Sequence, residues 1–208
     1  MNATTCVLSW CRGAALILFV CLLGGCGSHT KAAWTAPPDW KSFREPSLGV
    51  EVSFPPDMFV RNWFPDSEQT ASIQKLGWHH VVDLDNDASA PPSPVNAPIK
   101  AGCLRVIIWR RELEPANSRQ SMDLAGEWPT ALGGGGEARP LKVHGVDCAE
   151  LTREAGVSFM QPAERVVFRV SNGIAYALLI QAFQGADERQ KDLLTTRIGD
   201  DILASVHE

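Results

Sequence analysis

The sequence predicts an α+β fold in which an antiparallel sheet is flanked by helices. Three observations point there. Apolar and polar residues alternate in short runs such as Val50-Glu51-Val52-Ser53-Phe54, as a half-buried strand requires. Asn172-Gly173 joins two β-rich runs, Arg165–Val170 and Ile174–Phe183, and is the best short hairpin signal in the chain. An amphipathic stretch with Leu194, Ile198, Ile202 and Val206 on one stripe, backed by Leu203, closes it. A helix must bury such a stripe, and the sheet offers the only large apolar surface.

Taken in order, residues 13–25 form an uncharged apolar run preceded by Arg12, the arrangement of a secretory signal. The run is shorter than the roughly 20 apolar residues of a membrane span. It ends in Leu23-Gly24-Gly25-Cys26, which resembles the lipobox of bacterial lipoproteins. Small residues let an extended backbone enter a peptidase cleft, and the Cys26 thiol is the group a diacylglycerol can be attached to. The resemblance implies a signal peptide over 1–25 and a mature chain that begins at lipidated Cys26. Two or three acyl chains bury many methylenes at about 0.8 kcal/mol each, so the membrane attachment would be stable. Gly27, where inner-membrane lipoproteins tend to carry Asp, leans towards the outer membrane facing the periplasm in a Gram-negative cell. A plain secretory signal or a short membrane anchor is the alternative.

Residues 26–39 are small, polar and Pro-containing and read as a tether, with the globular domain over 40–208. Two short strand patterns flank the turn cluster Pro46-Ser47-Leu48-Gly49, and a third runs from Met58 to Trp63. Residues 72–84 read as a strand, strongest from Trp78 to Leu84. The 85–100 loop follows, with Pro91, Pro92, Pro94 and Pro98; loops of this length are usually functional or mobile. Gly102–Arg111 is a strong strand, with Leu104, Val106 and Ile108 on one face and Cys103, Arg105, Ile107 and Trp109 on the other. Ser121–Leu132 is a short helix with Ser121 as N-cap and Asp123 near its positive end, shortened or bent at Pro129. Gly133–Gly136 is a connector, and Leu141–Arg153 reads as one strand. In the last helix Asp187 and Gln190 form a capping box, and Gly199 costs about 1 kcal/mol.

Composition excludes some functions. The chain holds 19 Lys+Arg and 24 Asp+Glu, and the leader removes only Arg12, so the 183 residues from Cys26 carry 18 − 24 = −6 with His neutral. Phosphate binding needs a dense cationic surface, so nucleic acid is not an expected partner. No polybasic patch for anionic lipid is present either.

The order of the elements resembles the PsbP-like domain, an α/β/α sandwich known from a thylakoid subunit of photosystem II and a Ran-binding nuclear protein. The carrying features are an aromatic entry and hairpin ending in Gly49-Val-Glu-Val-Ser-Phe-Pro-Pro-Asp57, then His144-Gly-Val-Asp-Cys-Ala149. Arg165–Val170 with Asn172-Gly173 and Tyr176-Ala-Leu178 follow, and Ile202-Leu-Ala-Ser-Val206 closes the pattern. The resemblance covers about residues 40–206 and implies a non-catalytic scaffold that binds or helps assemble envelope proteins. It carries over no catalytic residue and no cofactor. The 85–100 loop departs from the compact pattern, so a periplasmic enzyme or small-ligand protein with a site under that loop is the second reading.

Candidate chemistry is sparse. Once the leader is gone, Cys103 and Cys148 are the thiols left beside Cys26, in a compartment where disulfides form. Alternation puts both on the sheet face opposite Leu104 and Ala149, so a bridge is open if their strands are neighbours; two buried thiols are the other possibility. His79-His80 with Asp83, Asp85 and Asp87 has metal-binding residue types, but adjacent strand histidines point apart. A calcium loop starting at Asp83 would need Gly and Glu where Ala88 and Pro94 stand, so no metal is expected. The glycine run lacks the Lys-Ser/Thr of a phosphate loop, and no nucleophile-elbow, zinc-protease or Cys-x-x-Cys motif occurs. Trp109 beside Arg110 and Arg111 is either an exposed aromatic and basic patch for a partner or an edge-strand Trp covered by an Arg stem.

Overall fold

A computed structural model describes residues 34–61, 68–88, 103–114, 119–128, 136–153, 163–182 and 197–208. Outside them fall the leader, Cys26, most of the 85–100 loop, Pro129, Gly133 to Gly135, and the expected cap at Asp187 and Gln190 with Leu194.

The strands are β1 (Lys41–Glu45), β2 (Val50–Phe54), β3 (Phe59–Arg61), β4 (His79–Asp85), β5 (Leu104–Glu112), β6 (Arg139–Val143), β7 (Val146–Arg153), β8 (Ala163–Ser171) and β9 (Ile174–Ala182). The helices are α1 (Glu68–Lys75), α2 (Ser121–Glu127) and α3 (Arg197–Ser205). β1 and β2 form a separate hairpin; the others make one sheet in the order β3-β4-β5-β9-β8-β7-β6, antiparallel throughout. The expected class, an α+β sandwich around an antiparallel sheet, is what the chain adopts.

Alternation along the strands sorts side chains into two cores. On one face Leu104, Val106, Ile108, Leu178 and Ile180 meet Val50, Val52 and Phe54 of the hairpin and Ile202 and Leu203 of α3. On the other, Ile107, Trp109, Phe168 and Leu179 meet Ile73 of α1 and Leu124 and Trp128 beside α2. The central strands are therefore buried on both sides, which explains their near-continuous apolar runs. Truncating one such residue, as in Leu178→Ala, carries a cost of about 2–5 kcal/mol.

Several local expectations are corrected. Residues 72–75 are helical rather than strand: α1 buries Ile73 and stops at Gly77, whose φ of 83° allows a left-handed cap. There the Gly77 N–H donates to the Gln74 carbonyl (2.9 Å) and the Trp78 N–H to that of Ile73 (3.4 Å). The single strand read over 141–153 is a hairpin, because His144 and Gly145 take φ of 47° and 86° and turn the chain in two residues. The N-cap of α2 is Gln120 rather than Ser121; the Gln120 N–H donates to Asp123 Oδ2 at 2.8 Å. The Asn172-Gly173 turn occurs as expected, with φ of 52° and 78°.

The domain also starts earlier than position 40. Trp34–Glu208 form one compact unit, and Trp34 packs edge-on against Trp40 with ring centroids 5.6 Å apart. At the far end of the chain, α3 is fixed by polar contacts as well as apolar ones. The Ser53 N–H donates to Ser205 Oγ (2.9 Å), and His207 exchanges backbone hydrogen bonds with Glu51. Arg169 donates to the Leu203 and Val206 carbonyls, both at 2.6 Å, satisfying groups a helix end leaves open.

Candidate functional site

Two features of the sheet are built from polar or exposed residues. The first is a row across its α1/α2 face. Asp85, Arg105, Gln181, Glu164 and Arg153 occupy matching positions on β4, β5, β9, β8 and β7. Their neighbours two positions along, Ile107, Leu179, Val166 and Leu151, belong to the apolar core, so the row marks where that core ends.

Each charge in the row has a partner. Arg105 Nη2 donates to Asp83 Oδ2 at 2.7 Å, and both side chains are nearly sealed from water. Arg61 grips Asp85 with two bonds of 2.7 and 3.0 Å. Glu164 accepts from Gln181 Nε2 at 2.8 Å and pairs with Arg153 at 2.9 Å. Burial raises the Glu164 carboxyl above its ordinary value, an effect the Gln181 hydrogen bond and the Arg153 charge only partly offset. Burial likewise works against the charge on Arg105, with Asp83 opposing it. Gln181 Oε1 and Arg153 Nε make no hydrogen bond with the described residues. Chemically, the row can hold a proton at Glu164 and offer a polar group an acceptor and a donor.

The second feature is a groove of about 680 Å³ between the N-terminal turn of α2 and the β6–β7 edge. Ser121 and Met122 form one wall and Pro140, Lys142, Asp147 and Val170 the other. Ser121 Oγ reaches the Asp147 carbonyl at 3.5 Å, and Lys142 pairs with Asp147 at 2.6 Å on an exposed rim. Two large apolar side chains are exposed among the described residues, Met122 at 38% and Val146 at 44%, and both lie at this end.

β6 is a sheet edge of limited stickiness. Val143 and Val146 close a two-residue turn and so exchange hydrogen bonds, which points the backbone groups of Pro140 and Lys142 to the open side. Proline has no N–H there to offer another chain.

The residues singled out from sequence fall as follows. Cys103 and Cys148 are both buried and not joined. Cys148 faces the core shared with α3, together with Leu104, not the face opposite it. β9 and β8 stand between β5 and β7, and three strand spacings of about 4.8 Å exceed the separation a disulfide spans. The bridge expectation is therefore corrected. Burial pushes the Cys148 thiol up to about 11.

Trp109 is neither an exposed patch nor an edge residue: it is 1% exposed on an interior strand, with the His80 ring edge-on at 5.3 Å. Arg110 pairs with Glu112 and Glu208, and Arg111 with Glu127. His79 is exposed beside half-buried His80, whose Nε2 lies 3.5 Å from Asp83 Oδ1. Asp83 and Asp85 are thus matched with arginines, and the Asp87 N–H donates to Asp85. No three His, Cys, Asp or Glu side chains converge as metal ligands among the described residues.

Sequence reading missed Glu164, Gln181 and Arg153. Their signal is a polar residue at the end of an otherwise apolar strand, visible only once register aligns the ends.

Fold and site together define an antiparallel α+β sandwich with a polar row on one face and an apolar-walled groove at one edge. No protein-family model and no curated protein sequence matches the chain. Among solved structures it is similar to cyanobacterial PsbP (CyanoP) from Synechocystis sp. PCC 6803, at 11% identity and a TM-score of 0.48, over 89% of this chain and 98% of that one. It is also similar to a protein of Bacteroides thetaiotaomicron VPI-5482, at 12% identity and a TM-score of 0.45 over 81% of this chain; it spans about half (48%) of that protein's length.

Proposed function

We propose that this protein is a lipid-anchored domain of the cell envelope with a non-catalytic binding or assembly role. The observation that carries the reading is the short distance between anchor and fold. Leu23-Gly24-Gly25-Cys26 has the form of a lipobox, and the compact unit begins at Trp34, seven intervening residues later. An acylated Cys26 would hold the domain at the bilayer, on the periplasmic side of the outer membrane in a Gram-negative cell. The groove supports binding over simple spacing, because its concave, largely apolar walls end in exposed Met122.

Intact-mass measurement of protein purified from envelopes tests the anchor. The expected chain starts at Cys26 and carries diacylglycerol, and Cys26→Ser releases it from membranes; an unmodified thiol overturns the reading. For the binding role, a photo-crosslinker at position 142, on the rim of the groove, should capture one envelope protein in stoichiometric amount. Capture of nothing, or of a scatter of abundant proteins, would count against it.

A second reading, a periplasmic enzyme or small-ligand protein with its site under the 85–100 loop, has one observation in its favour. The polar row crosses the end of the sheet from which that loop departs, and it contains a carboxyl held towards its neutral form. A thermal-shift screen of periplasmic metabolites decides: a ligand that stabilises the native chain but not Glu164→Gln supports it, and a flat screen removes it.

A further inference from the structure

The tips of the two hairpins, His144-Gly145 and Asn172-Gly173, lie at the same end of the sheet, since Cys148 on β7 is matched with Arg169 on β8. At this end stand Val146 and Met122, the two exposed large apolar side chains among the described residues. The chain also enters the domain here. The Trp34 ring lies 5.7 Å from that of His144, and His144 Nε2 is fixed 2.6 Å from Asp201 Oδ1 on α3. Trp34 is part-exposed and packs edge-on against Trp40.

We propose that this end, presenting Trp34, Val146 and Met122, is a bilayer-contact surface that seats the domain on the membrane carrying its own anchor. The proposal rests on the lipid-anchor reading and adds an orientation to it. Gly27–Ala33 can reach at most about 25 Å when fully extended. The entry point is therefore never far from the headgroups, and the side chains around it are those that favour a membrane interface. Tryptophan places an apolar body and a polar N–H at the headgroup level, and the aliphatic side chains enter the boundary beside it. The charges nearby form no cationic patch, since Lys142 faces Asp147 and Arg110 lies between two carboxylates, Glu112 and Glu208. Contact through apolar and aromatic groups accordingly predicts little dependence on salt. The groove opens at the same end, so a partner held in it would be met at bilayer level.

Environment-sensitive dyes read the orientation directly. The acylated full-length protein is reconstituted in phosphatidylethanolamine–phosphatidylglycerol vesicles and labelled at Val146→Cys or, at the opposite end of the sheet, Ala88→Cys. Cys103 and Cys148 are buried and stay unlabelled in the folded chain. The expected result is a blue-shifted dye at 146, quenched severalfold less by aqueous iodide than the dye at 88, at low and high salt alike. Equal quenching at both sites in protein that floats with the vesicles overturns the orientation and leaves the anchor standing. Protein that does not float overturns both. Should Val146→Cys unfold, Met122→Cys gives the same reading from the other side of the patch.

Discussion

At the scale of single residues, the Asp83–Arg105 pair shows the weight of a buried ion pair at the polar row. With its carboxylate gone, Arg105 would keep its charge in a site that excludes water, so Asp83→Ala should lose about 3–5 kcal/mol in urea unfolding. Glu164 gives a pH signature of the opposite kind to a stabilising carboxylate. Its folded value lies above the ordinary 4.5, so the folded state binds the extra proton. Its contribution is most favourable below 4.5 and is lost as pH rises through the folded value. Glu164→Gln should therefore gain stability relative to wild type as pH climbs from 4.5 towards neutrality, in paired denaturation curves. For the thiols, titration with a disulfide reagent at pH 8 should find Cys103 and Cys148 unreactive until denaturant is added; rapid reaction of Cys148 in the native state would contradict its burial and raised thiol value. Sequence alternation assigned Arg105 and Trp109 to one face, yet it could not tell that this face is also buried. That information lies in α1 and α2, not in β5.

Among the elements, strands with strict alternation or a strong turn were legible: β1, β2, β5, and the β8–β9 hairpin all stand where the pattern put them, within a few residues. What escaped had a weak local code. α1 is eight residues long with Ile73 as its buried anchor, too little for a helical stripe to register against the strand that follows. His144-Gly145 makes the same left-handed turn as Asn172-Gly173, but histidine visits that region less distinctively than asparagine. Gly199 was read as a cost to its helix and proves to be a point of contact. A Cβ there would overlap Ile180 Cδ1 and touch Leu178, so Gly199→Ala should destabilise by about 1–3 kcal/mol despite alanine's better propensity. On the β6 edge, Pro140→Thr restores an outward N–H; light scattering should detect more self-association in the variant than in the natural chain.

Over the whole molecule, three layers are joined by contacts between residues far apart in the chain. Arg165 bonds Glu150 within the sheet and Asp200 on α3, while Arg169 holds the last carbonyls of that helix. None of these was legible beforehand, because each depends on a strand order that doubles back on itself. Deleting Val206–Glu208 should speed hydrogen exchange across Val50–Phe54 more than across β8 and β9, since it removes the buried Val206, the His207 bonds to Glu51 and the Glu208 pair with Arg110.

The pairing of Glu51 with His207 has a consequence for the timing of biogenesis. The strand Val50–Phe54 waits for His207, which lies far along the chain from Glu51, before it is fastened. Until that later segment is available, the hairpin layer stays open. A chain cut ahead of His207 would lose this fastening, and a protease would find an unlatched hairpin to cut.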